Sequence, residues 1–223
     1  MATDPASPKT RPLEDPLAYL PCSHVWEYQQ HQVIYSPDGL LMNLFLIIGG
    51  KVMVRRITTD GREVVVDIYV VDEFFGDGAL IDAINNHERA IALEQNTRVM
   101  SWTSTDVYEL ILRRPQLGIA LIQLLAGRCT DCRGRIENFS SDNIAQRLAR
   151  SLMHFADRLG DKLDDGSIQL IPLSHEVLAQ YIGTSREQVT KYMNQFRRKD
   201  YVRYSRKGIV VYPTAMNTSV SAQ

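Results

Sequence analysis

The stretch Leu173–Lys191, LSHEVLAQYIGTSREQVTK, decides how this chain is read. Ser174 is a residue type that caps helix N-termini, and Val177, Leu178, Tyr181 and Ile182 follow it at helical spacing. Gly183 tolerates the left-handed dihedrals at which helices end. Ser185 and Gln188, three residues apart, form a capping-box pair that opens a second helix. Two short helices joined by a tight glycine-containing turn make the DNA-binding helix-turn-helix.

The second helix is expected from Arg186 to about Arg197, with Val189, Met193 and Phe196 inward. Arg186, Glu187, Thr190, Lys191 and Asn194 then lie on the outer side. Residues at the start of a recognition helix reach base edges. Arg186 can donate two hydrogen bonds to a guanine, Glu187 can accept from N4 of cytosine, and Lys191 can reach a further guanine. Charged residues more often make an ordinary solvated face. Here they follow a turn at a helix start, and a basic hairpin comes after them. Tyr201–Tyr204 and Ile209–Tyr212 are expected to pair around Ser205-Arg206-Lys207-Gly208, a wing whose Arg206 and Lys207 would bind phosphates. Arg197-Arg198-Lys199 lies near the DNA backbone or in solvent.

The formal net charge of −1 over 223 residues hides a division. Residues 142–223 hold 12 Lys+Arg against 8 Asp+Glu, whereas residues 1–141 hold 13 against 18. Within 174–207 the balance is 8 against 3, so positive charge gathers on the DNA-like segment. An acidic unit beside a basic one suggests a sensor joined to a nucleic-acid binder. No run approaches the ~18 apolar residues of a membrane span, and the N-terminus has no secretory pattern, so a cytoplasmic protein that does not engage membranes is expected. Three cysteines do not make a disulfide scaffold.

Residues 1–16, with four prolines, read as a disordered tail, and residues 17–114 as a β-rich sensor unit. Pro37-Asp38-Gly39 and Asp60-Gly61 are turn signals, and Gly49-Gly50 marks a bend. Leu44–Ile48, Lys51–Arg56, Glu63–Val71 and Arg98–Thr103 are strand-like, and such short strands indicate an antiparallel sandwich or barrel. Asp106–Arg114 is a short helix, and Pro115 opens a long one over 115–140. Along it Gly118, Ile122, Leu125, Cys129, Cys132, Ile136 and Phe139 step by alternating fours and threes, a coiled-coil seam of about three heptads. The seam predicts a parallel homodimer. Gly118, Gly127 and Gly134 each cost ~1 kcal/mol there, which marks either a point where the helix loosens as a switch or close interhelix packing. Residues 141–223 form the DNA-binding unit. It starts with a capped helix, Ile144–Leu159, followed by a surface loop at Asp161–Gly166 and a short strand at Ile168–Ile171. The tail after Pro213 reads as unstructured.

From Ile182 to Val202 the string IGTSREQVTKYMNQFRRKDYV resembles the winged helix of the CRP/FNR family, the cAMP receptor protein class of bacterial regulators. With the upstream features, the resemblance covers nearly the whole chain from about residue 24. It implies an α+β protein with an N-terminal double-stranded β-helix (a cyclic-nucleotide-binding-like jelly roll), a long dimerisation helix and a C-terminal winged helix-turn-helix. By resemblance, and by position at helix starts, Ser174, His175 and Ser185 are phosphate contacts. Arg and Glu at the first two reading positions imply a half-site like TGTGA, and the 161–166 vicinity implies a contact with RNA polymerase. Phe75-Gly76-Asp77-Gly78, followed by Arg89, resembles the family's phosphate-binding cassette. In it Gly76 supplies backbone, Asp77 would meet the ribose and Arg89 the phosphate. The departures are several. Asp77 replaces a longer Glu, Gly78 a Leu, Ala90 a hydroxyl residue, and Cys132-Arg133 the Thr-Ser pair that meets adenine. Losing these polar contacts predicts that cAMP is not held tightly, and Arg89 then reads equally as a structural ion pair.

The resulting expectation is a sequence-specific transcription regulator, an activator acting as a homodimer on double-stranded DNA, with no catalytic residues and no metal. The alternatives are a regulator switched by cAMP or another small effector, or a redox-responsive one through Cys129 and Cys132. An iron–sulfur centre needs four cysteine ligands and the chain has three. A metal-dependent enzyme on the same roll needs clustered His and Glu ligands, and the β region offers only His31 and His87 without a paired motif.

Overall fold

The run from Leu44 to Ile48 is apolar at every position because strand β3 (Asn43–Gly49) is buried on both faces. Phe45 and Ile47 point into the roll, where Phe45 stacks on Phe75 with ring centroids 5.0 Å apart. Leu44 and Leu46 point the other way, onto Leu117 and Leu121 of the long helix. The computed structural model describes residues 13–37, 42–81, 87–205 and 207–220. Residues 1–12 of the expected tail, Asp38 and Gly39 of the first turn, and Arg206 lie outside them.

Among the described residues, the roll is two antiparallel four-stranded sheets. Strands β1 (Val25–Tyr28), β2 (Val33–Tyr35), β3, β4 (Val52–Ile57), β5 (Glu63–Tyr69), β6 (Phe74–Phe75), β7 (Glu88–Ala92) and β8 (Thr97–Thr103) run in the orders β1-β8-β3-β6 and β2-β7-β4-β5. Four of the eight were legible as apolar runs. The sequence reading missed β1, β2, β6 and β7, which are two to five residues long and take their partners from distant strands.

Helix α1 (Ser104–Arg113) begins with a full capping box between Thr103 and Asp106. Helix α2 (Pro115–Ser141) has two apolar faces. Leu117, Ala120 and Leu121 are buried against the roll, whereas Ile122 and Ile136 turn away from it and are 68% and 65% exposed, and Phe139, 43% exposed, lies under Arg147 beside Gly183. Gly118 lies close under Ile111 of α1, while Gly127 and Gly134 face open space in an unbroken helix. Helix α3 (Ile144–Leu159) is opened by the Asn143–Gln146 capping box. The winged helix is completed by β9 (Asp161–Lys162), β10 (Ile168–Leu170), α4 (His175–Ile182), α5 (Arg186–Arg198), β11 (Val202–Ser205) and β12 (Gly208–Val211), its sheet ordered β11-β12-β10-β9. Among the described residues, no helix is long and apolar enough to cross a membrane.

Two terminal expectations are corrected. Residues 213–220 are not unstructured but form α6 (Pro213–Val220), because Met216 drops fully buried into the winged-helix core. Residues 13–16 are not a free tail: Glu14 N donates to Gln123 Oε1 at 2.7 Å, and Pro16 is buried. A third difference concerns the join between the halves. Met53, Val65 and Ile68 of the roll share one apolar cluster with α3, α4 and the wing.

The glycines of this frame should respond in opposite ways to alanine. Gly208 sits at φ 132°, where an added Cβ would lie 2.6 Å from Ile171 C and 2.7 Å from Pro172 N, all backbone. Gly208→Ala should therefore lower stability by about 2–4 kcal/mol. Gly127→Ala meets nothing within 4 Å and should raise it by ~1 kcal/mol. Paired thermal melts of the two variants check both signs.

Candidate nucleic-acid interface

Local chemistry builds the helix-turn-helix. Ser174 Oγ accepts from Val177 N at 3.1 Å, and Gly183 ends α4 in the left-handed region at φ 66°, ψ 53°. An added Cβ at Gly183 would also press on the Phe139 ring at 3.0 Å, so the turn needs glycine twice over. Ser185 Oγ accepts from Gln188 N at 3.3 Å to start α5, and the reciprocal arm of the expected capping box is not made. Val189, Met193 and Phe196 are buried, which turns Arg186, Glu187 and Lys191 outward, all three exposed. A hydrogen bond from Ser185 holds the Glu187 carboxyl below the usual carboxylate range, so it is an ionised acceptor at neutral pH. In the wing, Ser205 is paired with Gly208, and exposed Lys207 at the tip donates its backbone N–H to Ser205 Oγ at 3.1 Å. His175 was expected to face phosphate. Both its ring nitrogens are instead engaged within the protein, at Thr190 Oγ1 (2.8 Å) and Tyr204 Oη (2.7 Å).

A cavity of about 600 Å³ lies between the open end of the roll, α2 and α3. It brings together Gly76, Asp77 and Cys132 from the expected effector set, and it corrects the rest of that set. Side chains alternate along β7, so Glu88 faces the cavity, Ala90 is fully buried in the roll, and Arg89 points to the opposite face. There Arg89 Nη1 lies 3.8 Å from Glu63 Oε1, and Glu63 Oε2 also accepts from Arg55 Nη1 at 2.6 Å. Arg133 projects outward from α2 and does not line the cavity. The sequence reading missed Arg128, which sits four residues after Leu124 on the inner face of α2. Its guanidinium lies 5.2 Å from the Tyr69 ring centroid and 3.5 Å from Asp77 Oδ1, and it donates to Phe74 O. Burial, and next the charge of Asp77, raise the Glu88 carboxyl above its ordinary value. Among the described residues, no group of three or more His, Cys, Asp or Glu side chains is placed to hold a metal ion.

Two family models match this architecture in chain order: a cyclic nucleotide-binding domain over residues 25–114 and a Crp-like helix-turn-helix domain over residues 146–215. The chain belongs to the CRP/FNR family. It is a DNA-binding transcription regulator. Its relatives include the Cyclic AMP receptor protein of Thermus thermophilus, 28% identical over 176 residues, which span 79% of this chain and 78% of that protein. The CRP-like cAMP-activated global transcriptional regulator of Mycobacterium tuberculosis is 27% identical over 169 residues, 75% of each chain. Among solved structures, FixK2 from Bradyrhizobium japonicum has the same fold, with a TM-score of 0.74 at 18% identity over 90% of this chain and 98% of that one.

Beside the shared apolar cluster, one guanidinium ties the regulator's winged helix to its roll. Arg158 of α3 donates through Nη1 to both Asp67 oxygens at 2.9 Å, and through Nη2 to both Glu73 oxygens at 2.9 Å and Ile68 O at 3.2 Å. Burial alone would lower this guanidinium's pKa, but the charges of Asp67 and Glu73 outweigh it and hold it above its ordinary value. Beside it Arg135 donates to Val66 O at 2.7 Å and covers the Tyr181 ring. His154 Nε2 lies 3.1 Å from Arg158 Nη1, which must donate, so the imidazole is the neutral acceptor. Burial, and next Arg158, lower its pKa below histidine's ordinary 6.5. Below that value the unfolded chain binds the proton and the folded one does not. Stability is therefore complete above pH ~6.5 and falls as pH drops through the folded-state pKa.

Two tests follow. Arg158→Met should cost about 2–3 kcal/mol in chemical denaturation, a figure reduced for the partial exposure of the clamp. Thermal stability should fall as pH drops below about 6.5, and His154→Gln should flatten that fall.

Proposed function

We propose that this regulator acts as a homodimer that reads a TGTGA-like palindrome without requiring cAMP. The observation that carries the reading is the exposed trio Arg186, Glu187 and Lys191 on a helix whose other face is locked into the core. A guanidinium fork matches guanine O6 and N7, and an ionised carboxylate matches cytosine N4. Ser174 and Ser185 at the helix starts, and Arg206 and Lys207 in the wing, would take phosphates. The exposed stripe Ile122–Cys129–Cys132–Ile136–Phe139, with half-buried Leu125, supports a second copy packing on α2. Two recognition helices about one DNA turn apart would then read the two half-sites.

Independence from cAMP is supported by the chemistry of the cavity. A cyclic phosphate would meet Asp77 and Glu88, a methyl at Ala90, and an Arg89 committed to Glu63. These residues do not fit the ligand. The second reading, a nucleotide-switched activator, draws on the relatives described as cAMP-activated. Activation through RNA polymerase, with the exposed 161–166 loop as one contact, and a cytoplasmic location complete the proposal.

Fluorescence anisotropy on a TGTGA palindrome and a scrambled duplex, with and without cAMP, is the test. Specific binding that needs no nucleotide supports the proposal, and binding that appears only with cAMP replaces it with the second reading. Arg186→Ala should cost ~1–3 kcal/mol on the palindrome and relax specificity. Lys207→Ala should weaken both duplexes alike and reduce the salt slope by about 1.

A further inference from the structure

His175 is the first residue of α4, and its ring lies between the recognition helix and the wing. The hydrogens of this contact can be assigned. Thr190 has one hydroxyl proton, and Oγ1 donates it to Arg186 O at 2.9 Å. Thr190 Oγ1 must therefore accept from His175 Nδ1–H at 2.8 Å, which leaves Nε2 to accept from Tyr204 O–H at 2.7 Å. The result is one directed chain from Tyr204 through His175 and Thr190 to the backbone of Arg186.

Its two ends matter for DNA. Arg186 is the first base-reading residue, so the relay grips the main chain that carries it. Tyr204 adjoins Ser205, whose hydroxyl donates to Gln169 Oε1 at 2.8 Å and accepts from the backbone of Lys207 at the wing tip. Phosphate contacts fix register, and base contacts specify sequence only if the two registers are held together. We propose that His175 is a positioning residue that ties the wing to the recognition helix, so that a phosphate grip by Lys207 sets Arg186 against its base. This rests on the base-reading assignment made above. The relay needs a neutral ring, and burial followed by the nearby Arg186 charge keeps the His175 pKa below its ordinary value.

Full-length variants are compared by anisotropy on a duplex selected from a random pool by the wild-type protein, and on a scrambled duplex. His175→Ala should lower the selected-to-scrambled affinity ratio about tenfold, the scale of two lost hydrogen bonds, while scrambled binding stays within about twofold and reports that the protein is folded. Tyr204→Phe, a substitution in the half-exposed wing, should lower the ratio by a smaller factor. Combined with His175→Ala it should add nothing, because both break one chain. His175→Gln, whose amide reaches the Nε2 position, and His175→Asn, whose amide reaches Nδ1, should each recover part of the ratio. An unchanged ratio in His175→Ala and Tyr204→Phe, equal losses on both duplexes, or independent additive losses would overturn the inference while leaving base reading intact. A wild-type protein that selects no sequence would overturn both.

Discussion

A helix with apolar residues on two opposite faces needs two partners, and α2 has one inside its own chain. Leu117, Ala120 and Leu121 find the roll, and Arg128 reaches from the same face into the cavity. The opposite stripe leaves Ile122 and Ile136 about two-thirds exposed. In water such a stripe is a standing cost, removed only by another apolar surface. The roll, the cavity and the hinge into α3 are all positioned by the inner face. In the proposed homodimer, the outer face is the surface that a second copy would cover.

The parts of the fold written in local signals could be read from the chain. Ser174, Gly183 and Ser185 cap what they were expected to cap, and α3 begins and ends at Ile144 and Leu159, as its capping residue and apolar spacing imply. What escaped was set by distant neighbours. Strand β7 is recognisable only once β4 lies beside it, and α6 only once α3 offers a seat for Met216. At the effector cavity the family pattern pointed to Arg89, whereas strand alternation delivers Glu88 there and turns Arg89 to the outer face. The seam cysteines Cys129 and Cys132 are exposed in the single chain. A linear pattern gives a residue its neighbours along an element, but which face an element covers is a tertiary matter.

The cavity mixes charges, with Asp77 and Glu88 lining it beside Arg128, Arg135 and Arg147. Asp77 is paired with Arg128, while Glu88 lies near the charge of Arg56 and the hydroxyl of Tyr35. Burial and the charge of Asp77 disfavour a further negative charge beside Glu88. Arg128 also fills volume that a ligand would need, with its charge on Asp77 and its face on Tyr69. The helix thus supplies the cation that closes the roll's open end.

The apolar cluster shared by Met53, Val65 and Ile68 with α3 and α4 changes what counts as a module in this protein. The roll and the winged helix look like exchangeable pieces, each with its own family pattern. Cutting between them would strip three roll side chains of their cover and leave Asp67 and Glu73 facing water without Arg158. A chimera keeps this junction only if the borrowed winged helix brings a matching apolar seat and a guanidinium at the place of Arg158. The two halves therefore have to be exchanged together, and substitutions on β5 constrain those on α3 and α4 across the junction as closely as neighbours within one core.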